Sequence, residues 1–216
     1  MRLFAAVVPP RGIAEDVARV VRSAKGPAPV PPRKRFMLRT TGRGAHTVGR
    51  PPNVTHVAEL DTPPVEAMHL PLAGFGNVTL GDSVKLAKAL RTEAATWRRP
   101  TLTFAGGAAL EFPGDESVWV KVDGDFEGLM TISRSVPLLV QRLGFFVDRR
   151  QFRPWLAVGK ITAATTAPYL EALVQLLENY RGQEWTIDDI ALMRRPMEPN
   201  AEDTFEEMER IPLARP

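Results

Sequence analysis

The segment from Phe152 to Ile161 (FRPWLAVGKI) is the feature that most restricts how this chain folds. A proline precedes its short apolar run, a glycine closes it, and a basic residue lies on each side. The earlier segment from Met68 to Gly76 (MHLPLAGFG) has a similar pattern. Apolar runs of this length between proline and glycine are typical of buried strands. We therefore expect two corresponding strands, one in each half of the chain, each holding one polar group in apolar surroundings.

Apolar periodicity predicts the other elements. Alternating or continuous apolar runs predict strands at residues 2–8, 54–60, 68–75, 101–110, 117–122, 152–161, 185–193 and 204–213. Apolar residues at helical spacing predict helices over residues 11–25, 129–143 and 166–180, and a further helix that ends before Pro100. Within residues 2–8, every residue after Arg2 is apolar, which predicts a central strand. The order of elements predicts an α+β protein with two pseudo-symmetric β-α-β lobes.

Two local signals concern the helix boundaries. Asp82 or Ser83 is predicted to cap the helix that ends before Pro100, because a short polar side chain there satisfies free backbone N–H groups. Pro137 lies inside the apolar stripe of the third helix, and proline lacks the N–H that an internal position donates. We therefore expect a kink or a late helix start at Pro137.

The 216 residues are predicted to form one two-lobed domain, residues 1–216, with a basic loop insertion rich in Pro, Gly and Arg at residues 27–53. Between Val17 and Ala58 the chain has nine basic residues and no acidic one, a formal charge of +9. A region with one sign of charge favours polyanions such as nucleic acid or nucleotide phosphates. A solvated, poorly ordered loop is the alternative interpretation.

The composition excludes several kinds of chemistry. The chain has no cysteine, which rules out disulfides, thiolate metal sites and a cysteine nucleophile, and fits a reducing cytosol. The apolar run at the N-terminus ends at Pro9 after about six residues, too few for a spanning helix or a signal peptide. We therefore expect a cytoplasmic protein that does not contact a membrane, with a monomer as the default state.

Four segments resemble, in the same order along the chain, the two-histidine phosphoesterase superfamily. They are residues 1–10 (MRLFAAVVPP), 69–78 (HLPLAGFGNV), 152–160 (FRPWLAVGK) and 185–192 (WTIDDIAL). Within the superfamily, they resemble the LigT-like RNA 2′,3′-cyclic phosphodiesterases, a group also named 2′-5′ RNA ligases. The resemblance implies that the two lobes carry antiparallel sheets that face a central groove.

The resemblance also implies a His-x-Thr motif in each lobe. One histidine acts as general base on the attacking water, the other protonates the leaving ribose oxygen, and the threonine hydroxyls hold the phosphate oxygens. Imidazole suits both roles because it titrates near neutral pH. Fixed hydrogen-bond donors stabilise the charge on the phosphate oxygens, so this mechanism needs neither a metal ion nor a cofactor.

This sequence departs from that pattern. His69 occupies the first histidine position, but Pro71 stands at the first threonine, Trp155 at the second histidine and Ala157 at the second threonine. An indole donates a hydrogen bond but does not shuttle a proton near pH 7. Loss of one acid–base partner costs about two to four orders of magnitude in rate. His69 itself has two interpretations, a site residue or a histidine packed in an apolar strand.

Other residues are candidates for parts of the lost site. His56 or His46 is a possible substitute for the second histidine, and the alternative for both is a surface position. Trp155 either fills the groove or stacks on a nucleic-acid base. Basic side chains that are candidates for phosphate or RNA binding, or alternatively plain surface charges, are Arg153, Lys160, Arg33, Lys34, Arg35 and Arg39. Lys160 lies where the family often has arginine.

The leading hypothesis is a divergent LigT-like protein with lost or much reduced cyclic phosphodiesterase activity. It binds RNA ends or nucleotides with a terminal phosphate in a basic groove. An active hydrolase that uses His69 with a recruited residue such as His56 is one alternative. A protein-interaction module with a filled groove is the other.

Overall fold

The computed structural model describes residues 1–25, 59–109, 116–148, 152–195 and 205–214. The predicted loop insertion at 27–53 and most of the predicted strand at 54–60 lie outside these residues. So do several candidate site residues, namely Arg33, Lys34, Arg35, Arg39, His46 and His56. Within the described ranges, no helix is both long enough and apolar enough to cross a membrane.

The described residues form nine strands and four α-helices. In chain order they are β1 (Arg2–Val7), α1 (Arg11–Ser23), β2 (Leu60–Asp61), β3 (Leu70–Asn77), α2 (Leu80–Ala94), β4 (Thr101–Ala109), β5 (Ser117–Gly124), α3 (Phe126–Arg142), β6 (Trp155–Ile161), α4 (Ala167–Asn179), β7 (Trp185–Thr186), β8 (Asp189–Arg195) and β9 (Glu206–Pro212). A short 3-10 helix at Val65–Ala67 precedes β3.

The strands make two antiparallel sheets. The first sheet has the order β3-β1-β8-β9 and the second has the order β2-β6-β5-β4-β7. Helices α2 and α3 pack on the first sheet, and α1 and α4 pack on the second. The predicted α+β fold with two antiparallel lobes that face a central groove is confirmed. The two segments with similar sequence patterns lie in different lobes, because β3 belongs to the first sheet and β6 to the second.

Strand β1 shows how the first sheet separates its two faces. Leu3, Ala5 and Val7 are buried in the main core beneath the helices. Phe4 and Ala6 point the other way, because successive side chains of a strand alternate, and they belong to a second small apolar cluster. We call the side of each sheet opposite its helices the groove face. The predicted central position of β1 is confirmed, since it pairs with both β3 and β8.

Two predicted helix starts are wrong. Thr79, rather than Asp82 or Ser83, caps α2: its hydroxyl oxygen accepts from the Asp82 backbone N–H at 3.1 Å and its O–H donates to the Asp82 carboxylate at 2.7 Å. Helix α3 begins at Phe126 and runs through Pro137, so the late start predicted at that proline is wrong. Asp125 caps α3 by accepting from the Gly128 N–H at 3.0 Å.

The single strand predicted over residues 185–193 is also wrong. Trp185–Thr186 pairs with β4 in the second sheet, whereas Asp189–Arg195 pairs with β1 in the first sheet. Between them, the Ile187 N–H donates to the Pro100 carbonyl at 2.9 Å and the Ile187 side chain is buried. The chain therefore crosses from one lobe to the other inside one apolar run, and β8 brings new side chains to the groove face of the first sheet.

Candidate functional site

His69 lies directly before β3 and contacts the aromatic side chains on the groove face of the first sheet. Its ring centroid is 5.2 Å from that of Phe4 and 4.7 Å from that of Phe205. Phe4 and Phe205 also pack edge to face, with centroids 5.3 Å apart. Phe4 and Phe205 pack against the buried Ala6 and Met193, which belong to the small apolar cluster of this face. His69 is therefore a half-buried groove residue, and the main core does not contain it.

A backbone carbonyl fixes the tautomer of His69. The ring Nδ1 lies 2.7 Å from the carbonyl oxygen of Ala67, at the end of the 3-10 helix. A carbonyl only accepts, so Nδ1 carries the proton and donates it to this bond. In the neutral ring the lone pair is then on Nε2. Nε2 is the nitrogen that takes up a proton, which is the property that a general base requires.

The surroundings of His69 favour its neutral form. Burial against the two phenyl rings lowers the pKa of His69 below its ordinary value, and the positive charge of Arg195 lowers it further. The hydrogen bond to Ala67 raises the pKa of His69; this effect is larger than that of Arg195 but smaller than that of burial. His69 therefore carries no charge at neutral pH, so it is available to accept a proton.

We expect an NMR titration of the His69 imidazole to give a pKa below the ordinary value of about 6.5. Comparison with the spectrum of His69→Gln identifies its signals. Replacement of Arg195 by glutamine removes a positive charge and raises the His69 pKa. The unfolded chain binds a proton below about pH 6.5 that the native His69 resists, so acidification below that pH reduces stability through this group. A His69 pKa at or above 6.5 contradicts the expected burial.

Strand β6 presents the second altered motif on the groove face of the second sheet. Leu156 and Val158 are fully buried in the core, whereas Trp155 and Ala157 are half-buried and point the other way. Trp155 is the register partner of Lys121 on β5. A Cβ built on Gly107 of β4 would lie 3.7 Å from the Cη2 atom of Trp155. The indole therefore extends from β6 across β5 to β4, where it lies near Gly107.

The two residues that the resemblance aligns with threonines carry no side-chain donor. Pro71 is exposed and pairs with Ala6 on β1. Ala157 pairs with Trp119, a second half-buried indole on β5. Neither proline nor alanine has a hydroxyl to hold a phosphate oxygen. Among the described residues, the groove face of the first sheet thus carries the His69 imidazole, and that of the second sheet carries the indoles of Trp155 and Trp119.

Lys160 and Arg153 are both exposed. A register irregularity in the β5–β6 pairing turns Gly159 toward the core, where an added Cβ would lie 2.5 Å from the Leu60 side chain. Alternation then places Lys160 on the same face as Ala157. Lys160 therefore lies on the groove face, and Arg153 lies just before β6. Within the described ranges, no group of three His, Asp or Glu side chains is arranged to hold a metal ion.

The sequence interpretation missed four groove-face residues. Arg195 lies at the end of β8 with its guanidinium carbon 5.4 Å from the centroid of the Phe205 ring. Phe205 precedes β9 and packs on His69. Arg2 of β1 is the register partner of Arg195, and Lys121 lies beside Trp155. Only the pairing of strands that are distant in sequence brings these residues to the groove.

Comparison with solved structures defines the class of fold. The structure of E. coli LigT complexed with 3′-AMP matches 99% of this chain and 98% of that chain, with a TM-score of 0.66 and 16% identity. The TT0787 protein of Thermus thermophilus matches 99% of this chain and 98% of its own, with a TM-score of 0.63 and 16% identity. E. coli LigT has also been solved with phosphate and with ATP.

A further solved structure described only as a phosphoesterase matches 99% of both chains, with a TM-score of 0.65 and 16% identity. No family model matches the sequence, and no curated protein matches it. The described residues therefore have a LigT-like fold. At these identities the likeness establishes the fold alone.

Proposed function

We propose that this protein is a divergent LigT-like protein that binds RNA ends or nucleotides and has lost most or all cyclic phosphodiesterase activity. The observation that carries the proposal is the groove face of β6. Trp155 and Ala157 occupy it where a proton donor and a phosphate-binding hydroxyl are required. His69 alone provides one proton-transfer group, and the mechanism needs one on each side of phosphorus.

The solved relatives support a phosphate-bearing ligand. E. coli LigT has been solved with 3′-AMP, with phosphate and with ATP. We infer that the groove of this protein takes ligands of the same chemistry. The basic side chains on its groove faces, among them Lys121 and Lys160, supply the positive charge that such ligands require.

The placement of Trp155 supports a stacking surface rather than a filled groove. The indole is half-buried and extends along the sheet toward Gly107. An aromatic ring on the groove face is a group on which a base stacks, and every base has a face that stacks. This arrangement favours nucleic-acid binding over the alternative of a protein-interaction module.

One observation favours residual hydrolase activity as a second candidate function. The Nδ1–H of His69 is held by the Ala67 carbonyl, and burial keeps the ring neutral, so Nε2 is suited to act as a base. Such an enzyme needs a recruited proton donor; His56 lies outside the described residues. Turnover of a 2′,3′-cyclic nucleotide by the wild-type protein that disappears in His69→Ala would establish this activity.

We expect Trp155→Ala to weaken the binding of a short single-stranded RNA with a terminal 2′,3′-cyclic phosphate by roughly 10- to 100-fold. The reason is that stacking of one base on an aromatic ring contributes about 1–3 kcal/mol. Fluorescence anisotropy of labelled RNA measures the affinity at several salt concentrations. Trp155→Phe is the matched control and retains most of the affinity, because phenylalanine also stacks.

The salt series tests the proposed function itself. Binding to phosphates releases counterions, so the affinity falls steeply as the salt concentration rises. Wild-type protein that binds no RNA at low salt, or binds it with an affinity that salt does not change, contradicts the proposal. Equal affinities of the wild-type and Trp155→Ala proteins contradict the stacking role alone.

A further inference from the structure

Two arginines lie side by side at one end of the first sheet. Arg2 of β1 and Arg195 of β8 are register partners, and both are exposed. Like charges directly opposite each other on neighbouring strands destabilise a sheet. In the described part of the chain, neither guanidinium has a carboxylate partner. An anion bound at these two arginines would offset the repulsion between their positive charges.

Other arginines of the same sheet are paired. Arg194, the immediate neighbour of Arg195, forms a salt bridge with Glu206. Arg210 on β9 contacts Asp189 at 3.2 Å and Glu207 at 2.9 Å. The first sheet therefore provides acidic partners for the arginines around the Arg2–Arg195 pair and leaves that pair uncompensated.

Strand alternation directs both arginines to the groove face. On β8, Ile190 and Leu192 are buried in the main core, whereas Ala191 and Met193 belong to the small groove-face cluster. Arg195 continues the second set. On β1, Arg2 has the same orientation as Phe4.

The contacts of Arg195 place this pair beside the retained histidine. Its guanidinium lies over the Phe205 ring, and Phe205 packs on His69 with ring centroids 4.7 Å apart. This cation–π contact attracts the Arg195 guanidinium to the Phe205 ring and so helps to orient it. Because the Phe205 ring contacts both Arg195 and His69, the arginine pair adjoins the His69 site.

We propose that Arg2 and Arg195 form a phosphate-binding subsite at the end of the groove, next to His69 and Phe205. This inference rests on the proposed function and adds to it the group that anchors the ligand. Each guanidinium group binds phosphate through two parallel N–H···O bonds. Two adjacent arginines therefore suit a terminal phosphate that carries two negative charges. The subsite provides positive charge in a protein whose two threonine positions, Pro71 and Ala157, hold no hydroxyl.

Binding of inorganic phosphate and of adenosine 3′-monophosphate tests the subsite. The titration follows the His69 ring signals by NMR at constant ionic strength, with chloride as the balancing anion. We expect Arg2→Gln and Arg195→Gln each to weaken both ligands by roughly tenfold, since one charge-assisted contact is lost. Arg134→Gln is the matched control, because Arg134 is an exposed arginine on α3. It leaves both affinities unchanged.

The outcomes separate this subsite from the proposed function. Unchanged affinities in Arg2→Gln and Arg195→Gln overturn the subsite, and so does an equal loss in Arg134→Gln, which would indicate general charge attraction. In both cases RNA binding by the wild-type protein still supports the proposed function. A wild-type protein that binds phosphate at Arg2 and Arg195 but binds no RNA or nucleotide supports the anion site and refutes the proposed function. Thermal melting of each variant confirms that it is folded.

Discussion

A protein that carries Trp155→His, Pro71→Thr and Ala157→Thr together is expected to hydrolyse a 2′,3′-cyclic nucleotide about two to four orders of magnitude faster than the wild-type protein. The three changes place a second imidazole and two hydroxyls at the positions that the resemblance assigns to the motifs. Formation of the nucleoside 2′- or 3′-monophosphate, followed by chromatography, measures the rate. We expect the hydrolysis rate of this variant to depend on pH, because the His69 imidazole and the imidazole introduced at position 155 both gain and lose protons.

The surroundings of each position favour this outcome. Trp155 lies on the groove face with its ring over Gly107, so the smaller histidine overpacks nothing. Pro71 is exposed, and threonine is a favourable residue in a strand. Ala157 is half-buried with its register partner Trp119 beside it. His69 already has its proton fixed on Nδ1 by Ala67, so the first proton-transfer group needs no change.

The same three substitutions combined with His69→Ala form the control. This protein should return to the wild-type rate, because it again has only one imidazole at the site. A folded triple variant that shows no turnover refutes the view that the positions of an active site are retained. A wild-type protein that turns the substrate over as fast as an active triple variant would instead support the hydrolase with a recruited partner.

The sequence predicts the fold better than the boundaries of its elements. The apolar run after Arg2, within residues 2–8, correctly predicted a central strand, because the middle of such a strand is buried on both faces. The run at 185–193 did not reveal a change of sheet, since Ile187 is apolar and buried at the crossing point. The cap of α2 was placed too late because Thr79, Asp82 and Ser83 are all good capping residues, and only the backbone path selects Thr79.

The candidate site was predictable only where its residues belong to local motifs. His69 and Trp155 follow from short sequence patterns, and the structure places both on groove faces. Arg195 and Phe205 have no local signal, because the pairing of β8 and β9 with distant strands brings them to His69. The tautomer of His69 depends on the carbonyl of Ala67. Backbone geometry sets this contact, and residue type carries no information about it.

Gly124→Ala is expected to destabilise the protein by on the order of 3 kcal/mol, which lowers its Tm by roughly 6–12 °C. Gly124 ends β5 with a φ of +105°, a conformation that side chains with a Cβ rarely adopt. An added Cβ would also lie 2.5 Å from the backbone carbonyl oxygen of Thr101. The Asp125 N–H donates to the same oxygen at 2.8 Å, so the carbonyl does not move freely. Thermal and urea unfolding measure the change.

Two other glycines of the same strand pair separate backbone strain from steric clash. Gly106 has a φ of +70° with no atom within 4 Å of an added Cβ, so alanine there adds backbone strain alone and costs about 1 kcal/mol. At Gly107 an added Cβ would make an ordinary contact of 3.6 Å with Lys121, and alanine there is nearly neutral. Equal losses in the free energy of unfolding for Gly124→Ala and Gly106→Ala would show that the Thr101 carbonyl moves away from the added Cβ at position 124. In the expected order, Gly124→Ala unfolds at the lowest urea concentration and Gly107→Ala at the highest, because only Gly124 combines both penalties.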